Sequence, residues 1–304
     1  MSGTRGLPPR LALFFACIPL FGWWMTGLFD LDEGFYGAIV AEMNRRGEWI
    51  TPFYNGSVWF EKPILLYWLA KPCVALFGLD FGPRVPSVIC TILLFVVCGF
   101  FAKKRYGEKA QSATYFCLGT SIIIIALGRL MMTDAALNLA LVTAFLSFYE
   151  SVVGDKRWKL LTGFSLGLGV LAKGPVAILL FGLVTVIALW RDKELRQGFS
   201  EYLVQSVGVM LATIATWYVP CYLEHGDYFV QKFLIEQNLN RFLGGDAAHS
   251  AGIKLIWMYI PVIAIGVLPW GWIERKAFTK ANIDDSFSRY VATWGLSIFV
   301  FFTI

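Results

Sequence analysis

Charge is scarce in this chain. Only 15% of its 304 residues are Asp, Glu, Lys or Arg, against roughly a quarter in soluble domains, and 57% are hydrophobic. A soluble globule is thereby excluded, because long apolar runs recur from one end to the other. Histidine is rarer still: His225 and His249 are the only two, and both fall in one segment. Cysteine builds no framework. Cys17, Cys90, Cys98 and Cys117 sit inside apolar runs as small hydrophobes, while Cys73 and Cys221, near span ends on one side, lack metal-site spacing and leave a disulfide as the lesser alternative. No internal repeat or low-complexity segment is present. The net charge of +5 is small and topological in distribution, so it gives no argument for nucleic acid.

What is present is apolar sequence in span-length pieces. These predict an all-α, polytopic membrane protein with about nine spans, at 11–29, 85–102, 113–129, 135–152, 160–173, 176–190, 202–221, 254–273 and 288–304. Arg5 and Arg10 precede the first run, but that run is too long for a signal peptide and has no small-residue cleavage site. With the N-terminus in the cytoplasm, fifteen of the 26 basic residues fall inside, in the N-terminal tail and four short loops around 103–109, 156–159, 191–196 and 275–280. That bias sets the orientation. The chain stops at Phe-Thr-Ile within an apolar run, so residues 1–304 are expected to be one transmembrane domain of a longer protein.

Two long segments, roughly 30–84 and 222–253, then lie outside, and long loops usually carry function. In the first, Phe35, Ile39 and Met43 recur at helical spacing opposite Glu42, Asn44, Arg45 and Arg46, which predicts an amphipathic helix in the membrane interface. The stretch 64–78, interrupted by Lys71-Pro72, reads as a second interfacial element.

Four constellations carry possible chemistry. Asp30, Asp32 and Glu33 open the amphipathic helix; they serve either as a helix N-cap or as a carboxylate base kept basic by partial desolvation. Glu61-Lys62, between Trp59-Phe60 and an aromatic stretch, is either a surface pair or a phosphate-binding Lys62 beside a cation-binding Glu61. Arg129 and Asp134 bracket a short outside turn, as a mutual salt bridge or as functional ionisable groups. The segment 233–250 contributes Glu236, Arg241, Asp246 and His249, followed by Lys254. A metal at His249 needs a partner from elsewhere, for which Glu61 is the candidate.

The ordered set resembles a known family. Asp32-Glu33, Ala41-Glu42-Met43, Gly47-Glu48-Trp49, Pro52, Glu61-Lys62-Pro63-Ile64 and Tyr67-Trp68 are similar to the first outside loop of lipid-dependent integral-membrane glycosyltransferases. The nearest likeness is to bacterial aminoarabinose transferases acting on lipid A, relatives of the dolichyl-phosphate-mannose protein mannosyltransferases. Arg84-Val85-Pro86-Ser87, Met132-Thr133-Asp134, Lys173-Gly174-Pro175, Asn238, Arg241-Phe242, His249 and Leu268-Pro269-Trp270 continue the match. Gln237 departs from it where a His is common, and Ala251-Gly252 where a Pro is common.

The resemblance implies a GT-C-type helix bundle with interfacial helices in its first periplasmic loop, in the bacterial inner membrane. It implies Asp32 as catalytic carboxylate, Asp134 as a second active-site acid, and Glu33 beside them. Lys62 would hold the carrier phosphate with Arg241 or Lys254, and Arg84 is counted with the donor-binding residues. Glu61 and His249 would hold a divalent metal, zinc favoured; no nucleotide cofactor is implied. The expected reaction moves a sugar, aminoarabinose or another pentose or hexose, from a polyprenyl-phosphate carrier to lipid A or another periplasmic-face acceptor. The anomeric carbon would be inverted. A protein O-mannosyltransferase is the alternative within the class. A transporter is the alternative outside it, and would place charges mid-span, whereas here they gather at the outer ends.

Overall fold

The computed structural model describes residues 7–29, 32–199, 203–240, 256–270 and 285–303. It is an all-helical bundle apart from one small hairpin. In chain order the helices are α1 (Pro9–Cys17), α2 (Asp32–Arg46), α3 (Leu65–Phe81), α4 (Val85–Tyr106), α5 (Glu108–Thr120), α6 (Ile122–Gly128) and α7 (Thr133–Val153). They continue with α8 (Trp158–Lys173), α9 (Val176–Arg191), α10 (Lys193–Phe199), α11 (Leu203–His225), the single turn α12 (Asp227–Phe229), α13 (Ile256–Gly266) and α14 (Ser286–Thr303). A π-helical stretch, Val230–Asn240, extends α12.

Helix α7 is the centre of the bundle and packs against α4 and α8, and α8 in turn packs against α11. The close approach of α8 and α11 depends on small residues. A Cβ on Gly163 would lie 2.1 Å from the Ser206 carbonyl oxygen, and one on Gly167 would lie 2.5 Å from Thr213 Cβ. In lipid, where neighbouring helices gain nothing by leaving water, such small-residue faces supply the packing. At the opposite end from α7's Asp134, buried Glu150 accepts from Lys104 at 2.5 Å and from Arg105, which ties the ends of α4 and α7 together. Lys104 and Arg105 come from the basic loop expected inside, so that loop also clamps the bundle.

Most expected spans coincide with helices, with three differences. The first run is not one helix: α1 ends at Cys17, and the chain turns through Ile18–Leu20 and Trp23–Met25. Pro19 lacks the N–H a helix needs, and Gly22 sits at φ +82°, outside helical space. The run 113–129 bends by 67° between α5 and α6, at Ser121 in extended conformation. The stretch 64–78 is not a separate interfacial piece. It forms α3, carries Pro72 within it and runs on to α4 with a break at Gly78 (φ +75°).

By length and apolarity, Leu65–Tyr106, Thr133–Val153 and Val204–His225 can cross a membrane among the described residues, with a fourth if bent α5–α6 is one span. Helices α8 and α9 have 16 residues each, about 24 Å of helix, short of a hydrocarbon core of about 30 Å. The Gly174 turn between them (φ +85°) is the tight reversal expected at Lys173-Gly174-Pro175. All six cysteines are thiols, so Cys73 and Cys221 form no disulfide.

The amphipathic helix is α2. Tyr36, Ile39, Val40 and Met43 are buried on one side, where they join Ile64, Leu66 and Tyr67 in the main core. After α2 the chain forms a hairpin, Phe53–Tyr54 paired with Ser57–Val58. Its turn is Asn55-Gly56, both at positive φ (49° and 79°), the combination that matches strand twist in a two-residue hairpin. Lys71 locks this unit from below. It is buried, donates to the carbonyls of Met43 and Glu48, and lies 4.4 Å from the Trp49 ring centroid.

Candidate active site

Two helix ends set the site's electrostatics. Asp134 stands in the first turn of α7 and Lys173 in the last turn of α8. Each charge has the sign its helix terminus favours. Their side chains meet, Lys173 Nζ donating to Asp134 Oδ1 at 2.7 Å, and both remain partly exposed. Asp134 therefore does not pair with Arg129 across the short turn. Arg129 lines a different cleft, with Trp23 and Phe29.

Asp32 stands exposed at the start of α2, and the Tyr36 hydroxyl one turn later points at its Oδ1 at 3.4 Å. Burial raises the Tyr36 phenol well above its ordinary pKa, and the negative charges of Asp32, Asp134 and Glu61 push it further. The phenol therefore stays a donor at neutral pH. Of these three carboxylates, distant in sequence, Asp32 is the one in contact with the Tyr36 hydroxyl. Asp32 and Glu61 also act on the hydroxyl of Tyr67, which is fully buried and has no hydrogen-bond partner among the described residues.

Glu61 and Lys62 lie in the loop between the hairpin and α3, and both are partly exposed. The start of the second outside segment is brought to the first by Trp217 of α11, whose Nε1 donates to the Ile50 carbonyl at 2.8 Å. Asn238 reaches the α8–α9 turn: a Cβ on Gly174 would lie 2.7 Å from its Oδ1. Glycine is thus required there both for its backbone angle and for the space Asn238 occupies. Of the two histidines, His225 is described. Its Nε2 lies 2.7 Å from the buried Thr51 hydroxyl and its ring packs edge-on to Phe60, so it holds the first outside segment to α11.

Two sequence assignments are corrected. Glu33 and Arg84 are 4% and 3% exposed at the side chain and form a two-pronged ion pair, Nε to Oε1 at 2.8 Å and a terminal nitrogen to Oε2 at 2.7 Å. The remaining guanidinium N–H groups go to the carbonyls of Trp23, Thr26 and Gly27. Arg84 has five N–H donors, and all are used, which leaves none for a donor phosphate. Glu33 also accepts from the backbone N–H of Phe29 (3.0 Å) and Met131 (2.6 Å). Burial alone would raise its pKa, but Arg84 and the two N–H groups outweigh that and hold it below the usual carboxylate range. It is a strut, ionised at neutral pH, joining three chain segments rather than a base facing a substrate.

Arg241, His249 and Lys254, together with Asp30, lie outside the described residues. Among the described residues no three His, Cys, Asp or Glu side chains converge as metal ligands. Glu61 is the described member of the expected metal pair, and His249 lies outside the described residues. Lys173 is the site residue whose role the sequence alone does not reveal. Its signal is a lone Lys closing an apolar helix just before Gly-Pro.

The described core of this arrangement coincides with a matched family. Residues 61–222 match the sequence model of the dolichyl-phosphate-mannose-protein mannosyltransferases. The chain belongs to that family. Similar curated proteins are the undecaprenyl phosphate-alpha-4-amino-4-deoxy-L-arabinose arabinosyl transferases. That of Aeromonas hydrophila is 29% identical, over 100% of this chain and 56% of the relative. That of Shewanella sediminis is 29% identical, over 96% and 54%. Among solved structures, ArnT from Cupriavidus metallidurans bound to undecaprenyl phosphate superposes with a TM-score of 0.84 at 26% identity, covering 97% of this chain and 54% of that one. Its apo state gives 0.85 at 25% identity. The fold is thus that of a polytopic GT-C membrane protein. The chain spans about half the length of the relatives it matches.

Proposed function

We propose that this chain carries the transferase site of an enzyme that moves a sugar from an undecaprenyl-phosphate-type carrier to an acceptor hydroxyl at the outer face of a bacterial inner membrane. By the names of its relatives the sugar is 4-amino-4-deoxy-L-arabinose, and the acceptor we assign is lipid A. The observation that carries the reading is the exposed Asp32 carboxylate in contact with the Tyr36 hydroxyl at 3.4 Å, with Lys173 donating to Asp134 at 2.7 Å.

The chemistry needs a base for the incoming hydroxyl and cations for the departing phosphate. Asp32, exposed and oriented by Tyr36, takes the hydroxyl proton as the oxygen attacks the anomeric carbon. The sugar–phosphate bond breaks on the opposite face, so the centre inverts. Lys62, with Arg241 or Lys254, stabilises the leaving phosphate through charge-assisted hydrogen bonds. Lys173 holds the Asp134 carboxylate in place through a charge-assisted hydrogen bond. Holding two lipid substrates at one membrane surface supplies proximity.

The orientation that puts Asp32, Lys62, Asp134 and His249 on the periplasmic side rests on the Lys/Arg bias. The test of function is direct. Purified full chain, given undecaprenyl phosphate carrying aminoarabinose and lipid A, should yield lipid A heavier by one sugar residue in mass spectrometry. Transfer instead to a peptide serine or threonine from a mannosyl donor would replace the lipid A reading with the protein mannosyltransferase one. Transfer to neither would reject both.

A further inference from the structure

The reaction at the Asp134 end of the bundle leaves a cleft at the other end without a role. It lies where α1 begins and α4 passes into α5, and has a volume of about 430 Å³. Lys103, which lines it, directly precedes the Lys104 that meets Glu150, so the cleft sits at the far end of α7 from Asp134. The helix between Asp134 and Glu150 is about 24 Å long. Lys103 and Glu108 cancel each other in an ion pair at 2.9 Å. Arg10 is exposed and lines the cleft, and its guanidinium has no ion pair among the described residues. Exposed Lys109, in the first turn of α5, adds charge of the same sign. The cleft is therefore net positive and attracts an anion.

Further features narrow the anion. Tyr115 of α5 lines the cleft at 4% exposure. Its ring lies against Gly99 of α4, where a Cβ would come 2.6 Å from the hydroxyl oxygen. That hydroxyl accepts an N–H from Gln111 at 3.0 Å, and its own proton has no acceptor among the described residues. Buried donors are ordinarily paired, so this one marks a wall built for an acceptor. Helices α1 and α5 both start here with no side-chain cap, which leaves N–H groups of their first turns without intrahelical partners. Leu13 continues the wall along α1 from Arg10, and Leu11 and Phe14 beside it are exposed, so apolar surface begins directly beyond the cations. A soluble anion makes no use of that surface. A lipid does.

We infer that this cleft holds the phosphodiester headgroup of an anionic glycerophospholipid, of the phosphatidylglycerol class, from the leaflet opposite the transferase site. Arg10 takes the phosphate charge through a charge-assisted hydrogen bond, Tyr115 donates its O–H, and the acyl chains follow α1 past Leu13. Basic pockets between membrane helices recognise such headgroups. A zwitterionic headgroup is disfavoured, because it brings an ammonium into a cleft that repels it. The bound lipid staples the short α1 to α4 and α5, adding to the hydrogen bond from the Ser112 hydroxyl to the Leu7 carbonyl at 2.8 Å.

The experiment measures the first lipid bound by the full chain, stripped of copurified lipid in detergent, by native mass spectrometry and by thermal melting. Phosphatidylglycerol should bind about tenfold or more tightly than phosphatidylethanolamine with the same acyl chains, and should raise the apparent Tm. Arg10→Gln should weaken phosphatidylglycerol binding about tenfold and remove the preference. Lys193→Gln, which removes an exposed cation at the same end of the bundle, should leave both unchanged. Equal binding of the two lipids by wild type, or undiminished phosphatidylglycerol binding by Arg10→Gln, would overturn the inference. Equal losses in Arg10→Gln and Lys193→Gln would also overturn it, in favour of diffuse surface charge. Inorganic phosphate that displaced the lipid or raised the Tm as much at equal concentration would make this a soluble-anion site instead. The two-lipid comparison on wild type decides even if a variant does not fold. No readout depends on sugar transfer, so the transferase reading is tested separately.

Discussion

Replacing Arg84 with Met removes the guanidinium from a site where every one of its N–H groups is used. Glu33 would keep only the Phe29 and Met131 N–H groups, and the carbonyls of Trp23, Thr26 and Gly27 would lose their donors. Removing one partner of a buried ion pair costs about 3–5 kcal/mol, because the remaining charge stays desolvated. At roughly 2 °C per kcal/mol for a chain of this size, the apparent Tm should fall by roughly 6–10 °C. Tryptophan-fluorescence melting in detergent at a fixed scan rate measures it. The double variant Arg84→Met/Glu33→Met should recover much of the loss, since apolar replacement of both partners is often close to neutral. The sign with pH follows from the lowered Glu33 pKa. Its contribution is complete above the unfolded carboxylate pKa, roughly 4.3, and disappears as pH falls through the lower folded value, so Glu33→Gln should flatten the acid side of the stability profile. If Arg84→Met melted like wild type yet failed to bind undecaprenyl phosphate, Arg84 would be a phosphate ligand and the strut assignment would be refuted.

Other expectations follow from the packing. Lys71→Ala should lower the apparent Tm, because it removes charged hydrogen bonds to Met43 and Glu48 worth about 1.5–3 kcal/mol; an unchanged melting curve would contradict its structural role. Gly163→Leu should disrupt α8 against α11, because its first side-chain atom already overlaps the Ser206 carbonyl; chromatographic loss of the monodisperse protein checks this, with Gly182→Leu, which faces open space, as the tolerated control. Single cysteines at 55 and 157, in a chain otherwise free of reactive thiols, should react with an impermeant thiol reagent at 55 and not at 157. The reverse pattern would overturn the orientation.

Much of the fold was legible because lipid imposes a simple code: apolar length gives helices. The amphipathic α2 showed in the spacing of Phe35, Ile39 and Met43, whereas the hairpin had a local signal in Asn55-Gly56 that apolar periodicity passes over. The interruptions were harder. Pro19 ends α1 because the run has a second breaker in Gly22, whereas Pro72 sits inside α3 without ending it. Proline identity alone does not say which outcome holds.

At the site, residue types were legible and their pairings were not. Asp32, Glu33, Glu61 and Asp134 stood out as charges beside hydrocarbon, and Arg84 entered only through the family resemblance. Which of them bury each other depends on partners far apart in the chain. Glu33 meets Arg84 51 positions away, and Asp134 meets Lys173 39 positions away rather than Arg129 nearby. Local spacing favours the near partner. The folded helix ends favour the far one.

The central claim is that Asp32 is the base, and turnover of Asp32→Asn in the full chain tests it most directly. Positioned proton transfer contributes roughly 10²–10⁴-fold, so kcat should fall within that range while binding of the undecaprenyl-phosphate carrier and the apparent Tm stay close to wild type. Near-normal turnover in Asp32→Asn, with loss instead in Asp134→Asn, would contradict the account and move the base to the first turn of α7.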